Sequence, residues 1–205
     1  MIIPKLKEQE PAMVPAPTPP MPLEARMKEQ MLRSGLLMLT NKFDQENIMP
    51  IVQQIIMLNM LPEKDQPEGI KLVINSPGGS VFSAWHLIDV IKQSRIPVST
   101  IAQGLAASCG VVTLMSGVKG KRYVSHNCSV MSHTYSWGSV GKEGELYAKI
   151  KEYELASGRM IEHYKKCTGK SEKYIRKFLL HPNDEWMSPS EVVSHGIADE
   201  VITTY

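Results

Sequence analysis

The chain has 205 residues, 42% of them hydrophobic, enough for one sizeable core or for one domain with a short appendage. A formal net charge of +2, spread along the chain, gives no electrostatic reason to expect nucleic acid or an anionic membrane as a partner. Cys109, Cys128 and Cys167 show neither CxxC spacing nor a pairing framework, so a reducing compartment and no metal site are expected. No apolar run approaches the roughly 20 residues of a membrane span, and the N-terminus lacks the apolar core of a secretory signal. A soluble cytoplasmic protein is therefore expected.

Residues 1–24 differ from the rest. Pro4, Pro11, Pro15, Pro17, Pro19, Pro20 and Pro22 remove backbone donors, and no periodic apolar face is present, so this stretch is expected to be a flexible, proline-rich arm. Residues 25–205 read as globular. Leu36 to Leu39 reads as a short buried strand, and Asp44 as a cap for a helix carrying Ile48, Ile51, Val52, Ile55, Ile56 and Met60 at helical spacing. Ile70 to Ile74 reads as a strand running into Asn75-Ser76-Pro77-Gly78-Gly79. A helix from about Val81 to Lys92 follows, stopped at Ile96-Pro97. Val98 to Ile101 is the next strand, and it leads to Gly104-Leu105-Ala106-Ala107-Ser108-Cys109-Gly110, expected as a small-residue turn opening a short helix. Strand, glycine turn and helix thus occur twice in succession, which argues for α/β architecture.

Farther on, Arg122 to Val124 and Ser129 to Ser132 read as short strands, and Tyr135 to Gly144 is polar, aromatic and glycine-rich. Leu146, Ile150, Tyr153, Ser157, Met160 and Tyr164 recur at four- and three-residue steps, predicting one long amphipathic helix that ends near Thr168-Gly169. Ser171 caps a second helix, Ser188-Pro189-Ser190-Glu191 opens a third, and Val201-Ile202 closes as a strand.

Amide hydrolysis needs a nucleophile, a base, a group to orient that base and donors for the oxyanion. Ser108 is the candidate nucleophile, because small neighbours let a substrate backbone approach; the same run also describes tight helix packing. Of the six histidines, His86, His163, His181 and His195 read as helix-surface or capping residues, and His126 sits in a turn. His133 follows an apolar strand and precedes the glycine-rich segment, so it is the candidate base. The amides of Gly79 and Cys109, each at a strand end or helix start, suit an oxyanion. Spacing alone leaves both Asp184 and Asp199 open as the orienting acid.

Ile74 to Ser80 and Gly104 to Gly110 resemble the Clp protease proteolytic subunit (ClpP) family of self-compartmentalised serine peptidases. So do Gly117 to Tyr123, Val130-Met131-Ser132-His133, Trp186 to Glu191 and His195 to Asp199, all in order between about Met31 and Ile202. The resemblance implies a ClpP/crotonase-type α/β superhelix of repeated ββα units, with a long protruding handle helix from about Gly141 to Cys167. It implies Ser108 as nucleophile, His133 as base, Asp184 as orienting acid, Gly79 and Cys109 as oxyanion donors, and Asp199 in a structural position. Tyr135, Ser136, Trp137, Gly138, Ser139 and Val140 correspond to the strand that pairs with substrate backbone. It further implies extended polypeptide substrates, a homo-oligomeric ring (a heptamer, stacked or single), a partner AAA+ unfoldase and no cofactor for the chemistry itself.

The chain departs from the family pattern in four places, one being the proline-rich arm, which shows no counterpart of the family's N-terminal loop that lines the axial pore and meets the unfoldase. Thr134-Tyr135 stands where Gln-Pro is usual, Gly141 to Glu145 where Gly-Gln-Ala-Thr-Asp is usual, and Pro182-Asn183 where an arginine of the ring-to-ring contact is usual. These departures resemble phage or otherwise divergent members, including head-maturation proteases. A non-catalytic ring subunit and a crotonase-type acyl-CoA enzyme are the rival readings.

Overall fold

A computed structural model describes residues 21–136 and 138–203. Five strands form a parallel run in the spatial order β1 (Leu36–Leu39), β2 (Ile70–Ser76), β3 (Val98–Ala107), β4 (Arg122–Ser125) and β7 (Glu200–Ile202). β3 is long enough to serve two neighbours on one edge. Its Thr100–Ala102 segment pairs with β4, and its Leu105–Ala107 segment pairs with β5 (Ser129–Ser132), also parallel. β6 (Glu185–Met187) then runs antiparallel to β5. Parallel strands are covered on both faces, which is why β2 reads as a nearly continuous apolar run: Ile70, Leu72, Val73 and Ile74 are all buried.

Helices α2 (Gln45–Met60), α3 (Val81–Gln93) and α4 (Cys109–Leu114) each follow a strand and pack in succession, α2 on α3 and α3 on α4, with α4 against β2 and β3. Their buried stripes, among them Ile48, Val52 and Ile55 of α2 and Ala84, Leu87 and Ile88 of α3, meet the sheet in one core. Each large side chain so buried contributes about 1.5–3 kcal/mol. Asp44 accepts the Asn47 amide at 2.8 Å and Ser80 accepts that of Ser83 at 3.4 Å, satisfying donors the first helical turns leave free.

The architecture is the mixed α/β, largely parallel ClpP-type fold expected from the resemblance. Three local expectations differ. The proline-rich arm lies, up to residue 20, outside the described residues, and α1 (Leu23–Arg33) already begins within the stretch assigned to it. Gly104 to Ala107 is strand, not turn, because Leu105 to Ala107 find a partner in β5 and the Leu105 amide reaches Asn75 Oδ1 at 3.2 Å. β6 is an element the apolar pattern did not announce.

The long helix α5 (Glu143–Thr168) is buried only in its second half, at Ala156, Met160, Ile161 and Tyr164. Tyr147, Ile150 and Leu155 remain exposed, so the first half projects from the core. After it come α6 (Glu172–Phe178), capped by Ser171, and α7 (Pro189–Ser194), where Ser188 and Glu191 form a reciprocal capping box.

His163, expected on the surface of α5, instead faces the core. Its Nε2 lies 2.9 Å from the Val112 carbonyl of α4, and its ring stands edge-on to Trp85 of α3. Burial pulls its pKa down to about 4; the Val112 hydrogen bond opposes this, while Lys92 and Lys166 reinforce it. The folded chain therefore binds a proton here less readily than the unfolded chain. Stability from this site is complete above an unfolded pKa of about 6.5 and is lost as pH falls towards 4, amounting to about 3 kcal/mol. Urea unfolding at pH 7 and pH 4 checks this: His163→Gln, which keeps a donor but cannot titrate, is expected to lose less stability between the two than wild type.

Candidate active site

Three strand ends converge at the carboxyl edge of the parallel sheet. β2 ends at the Gly78-Gly79 turn, β3 at Ser108 and β5 at His133. Ser108 has φ 54° and ψ −117°, and among the described residues it is the one non-glycine with a positive φ. Such a conformation costs on the order of 1–3 kcal/mol and persists only where neighbours over-determine it. Here they do so: the Ser108 amide donates to the Met131 carbonyl of β5 at 2.8 Å, while its own carbonyl accepts from the amides of Val111 at 3.0 Å and Val112 at 3.3 Å. The sharp strand-to-helix reversal lifts the hydroxyl out of the core.

His133 is held from below. The preceding residue, Ser132, is fully buried; its hydroxyl donates to the Leu179 carbonyl at 2.6 Å and lies 2.7 Å from the Tyr164 hydroxyl, so both α5 and the end of α6 fix the end of β5. The register of β5 beside β3 then sets the imidazole over the serine, with Nε2 2.8 Å from Ser108 Oγ. At that distance an unprotonated Nε2 accepts the hydroxyl proton.

Gly78 packs its missing side chain against the serine. A Cβ there would lie 2.6 Å from Ser108 Cβ and 2.8 Å from the Ala107 carbonyl, and its φ of 91° already requires glycine. Gly79 bridges Phe43 in a parallel ladder whose bonds run from the Phe43 amide to the Gly78 carbonyl and from the Ser80 amide to the Phe43 carbonyl. Among the described residues neither the Gly79 amide nor the Cys109 amide, first in α4, has a backbone acceptor, and both lie against the Cys109 sulfur. Two backbone amides thus flank the serine, the arrangement that an oxyanion site uses. The Cys109 thiol is not a rival nucleophile: it donates to the Gly79 carbonyl at 3.3 Å, and burial pushes it up to about 11.

The two candidate acids separate. Asp199 lies just before β7, and its carboxylate accepts from the Gly120 amide at 2.7 Å, the Arg122 amide at 3.0 Å and the Arg122 guanidinium. Burial pushes this carboxyl up, but the hydrogen bonds and charge of Arg122, with the Gly120 amide, outweigh it and hold the group below the usual aspartate range. Asp199 is committed to the start of β4, at the opposite edge of the sheet from Ser108. Asp184 immediately precedes β6, and the β5–β6 register (Val130 with Met187, Met131 with Trp186, Ser132 with Glu185) carries it to the position across from His133. It is exposed and makes no hydrogen bond among the described residues; the group beside His133 Nδ1 is Ser136 Oγ at 3.4 Å. Sequence reasoning did not single out Ser136 for this contact, which only the path of the chain after β5 creates.

A cavity of about 110 Å³ opens beside the serine, with Val81, Val112, Met160 and Tyr164 supplying an apolar wall. On its rim, Tyr135 stacks on Tyr153 of α5, with ring centroids 5.8 Å apart. Gly138, Ser139 and Val140 continue outward without strand pairing, Val140 fully exposed, and Trp137 lies outside the described residues.

An α/β fold whose parallel strands deliver a serine, a histidine and two backbone amides to one edge defines the class. The family model described as Clp protease matches residues 23–205. Chloroplastic ATP-dependent Clp protease proteolytic subunit 3 of Arabidopsis thaliana is 33% identical over 172 residues, 84% of this chain and 54% of that protein. ATP-dependent Clp protease proteolytic subunit 1 of Corynebacterium jeikeium is 31% identical over 176 residues, 86% of this chain and 91% of that protein. Subunit 2 of Corynebacterium diphtheriae is 31% identical over 182 residues, 89% of each. The chain spans little more than half the length of the Arabidopsis subunits 3 and 4 that it matches. The chain belongs to the Clp protease family.

Proposed function

We propose that the chain is a serine endopeptidase that cleaves extended polypeptide, and the 2.8 Å contact between Ser108 Oγ and His133 Nε2 carries the proposal. Ser108 Oγ attacks the scissile carbonyl as its proton passes to His133 Nε2, and the amides of Gly79 and Cys109 receive the oxyanion. His133 then gives the proton to the departing amine, leaving an acyl group on Ser108. Water, deprotonated by His133, releases that acyl group and regenerates the serine. Asp184, opposite His133 by register, supplies the carboxylate that stabilises the charged imidazole. Residues 135–140 guide the substrate strand, and the apolar cavity receives the side chain before the scissile bond.

The exposed apolar residues of the first half of α5 support assembly into a homo-oligomeric ring that encloses these sites. The ATP dependence in the relatives' names supports a partner ATPase that feeds the chamber, with no cofactor needed for hydrolysis itself. Among the described residues no helix is long and apolar enough to cross a membrane.

Cleavage of fluorogenic peptides with an apolar residue before the scissile bond, measured with the mass in solution and with fluorophosphonate labelling, tests the proposal. A homogeneous, assembled preparation that neither labels nor cleaves overturns it. Gly78→Ala supplies a geometric check. Its Cβ must displace Ser108, so labelling is expected to slow by about 100-fold or more while circular dichroism shows the fold retained.

A further inference from the structure

A histidine that accepts a proton at Nε2 must carry its own proton at Nδ1, and that N–H needs an acceptor to hold the ring in place. In the free chain the carboxylate that the β5–β6 register sets opposite His133 makes no hydrogen bond among the described residues. The Ser136 hydroxyl stands 3.4 Å from Nδ1 instead, while Nε2 keeps its 2.8 Å contact with Ser108. Ser136 is not a stray surface hydroxyl. It lies three residues beyond His133 in a segment anchored by the stacking of Tyr135 on Tyr153 of α5, and it lines the cavity beside Ser108.

We infer that Ser136 is a positioning residue, its hydroxyl accepting the Nδ1 proton of His133 and aligning the imidazole on Ser108 before substrate arrives. The inference rests on the reading of Ser108 and His133 as nucleophile and base. A hydroxyl and a carboxylate do different work at this nitrogen. The neutral hydroxyl can orient the ring, but only the carboxylate offsets the full positive charge that forms when the serine proton is taken. The serine thus prepares the free site, and the aspartate serves turnover.

The test separates the two states. Inactivation of substrate-free protein by a fluorophosphonate reads the alignment of the free site, and kcat for a fluorogenic peptide reads the bound one. Ser136→Ala is expected to slow inactivation about fivefold, the worth of one ordinary hydrogen bond, and to lower kcat by a smaller factor. Ser136→Thr, which restores the hydroxyl, is expected to recover the wild-type inactivation rate. The Nδ1 proton resonance of His133 in the free protein should broaden or vanish by exchange in Ser136→Ala and return in Ser136→Thr. An unchanged or faster inactivation rate in Ser136→Ala overturns the inference, as does an equal fall in inactivation and kcat that threonine does not reverse. A wild-type protein that does not label at Ser108 instead overturns the underlying reading, so the two failures are distinct.

Discussion

Ser108→Ala is expected to abolish fluorophosphonate labelling and to lower peptide cleavage by about 10⁴-fold or more, with the fold and the assembly intact. The size of the loss follows from the site. On the proposed mechanism, without Oγ there is no acyl-enzyme, and the amides of Gly79 and Cys109 are left to polarise a carbonyl that only water can attack. The neighbouring thiol offers no substitute. Cys109 is buried, engaged with the Gly79 carbonyl and held protonated by a pKa raised to about 11, so no thiolate forms near neutrality. Structural collapse is not expected, because alanine at residue 108 bears the same backbone strain as serine and the bonds to Met131, Val111 and Val112 use main-chain atoms. Active-site titration, peptide turnover and sedimentation on the same preparation check the result. Residual turnover above about one part in a hundred, in protein free of wild-type contamination, would count against Ser108.

Asp199→Ala carries the largest expected cost in stability, about 3–5 kcal/mol, with the chemistry of any surviving folded protein unchanged. Arg122 is only 3% exposed, and Asp199 neutralises it while also accepting the amides of Gly120 and Arg122. Deleting the carboxylate strands a buried guanidinium whose remaining partner is the Cys167 carbonyl at 3.0 Å. The second substitution Arg122→Met removes the stranded charge, so Asp199→Ala with Arg122→Met is expected to recover a large part of the loss. Denaturant midpoints for the two single variants and the double variant measure this. A single variant within about 1 kcal/mol of wild type would show that the pair adds little.

Much of this molecule is readable from residue order because its local rules agree with its fold. Asp44, Ser171 and Ser188 announce helix starts, and each caps the helix it was expected to cap. The apolar run at Ile70 becomes a buried parallel strand, as it stands out in sequence, whereas the run at Leu36 becomes an edge strand that buries Leu37 and Leu39 and leaves Met38 exposed. What stayed hidden depends on distant partners. Gly104 to Ala107 looks like a turn until β5, more than twenty residues later, offers edge hydrogen bonds. Glu185 to Met187 is too short to show a period, and pairing with β5 alone makes it a strand. Asp184 and Asp199 are equivalent as spacings, and they part only when the register of β6 and the Arg122 pocket are known. His163 reads as surface because its apolar neighbours, Trp85 and the start of α4, are contributed by other elements.

The placement of Arg122 and Asp199 at one edge of the sheet, with Ser108 at the other, bears on how this chain tolerates change. The amino ends of β4 and β7 hold the charge pair, whereas the carboxyl ends of β2, β3 and β5 hold the proposed reacting groups. Substitutions at Arg122 and Asp199 are expected to lower the amount of folded protein in a cell. Ser108→Ala, on the proposed mechanism, is expected to leave abundance intact and silence the molecule. A library scored for both abundance and proteolysis is therefore expected to divide along the length of the strands.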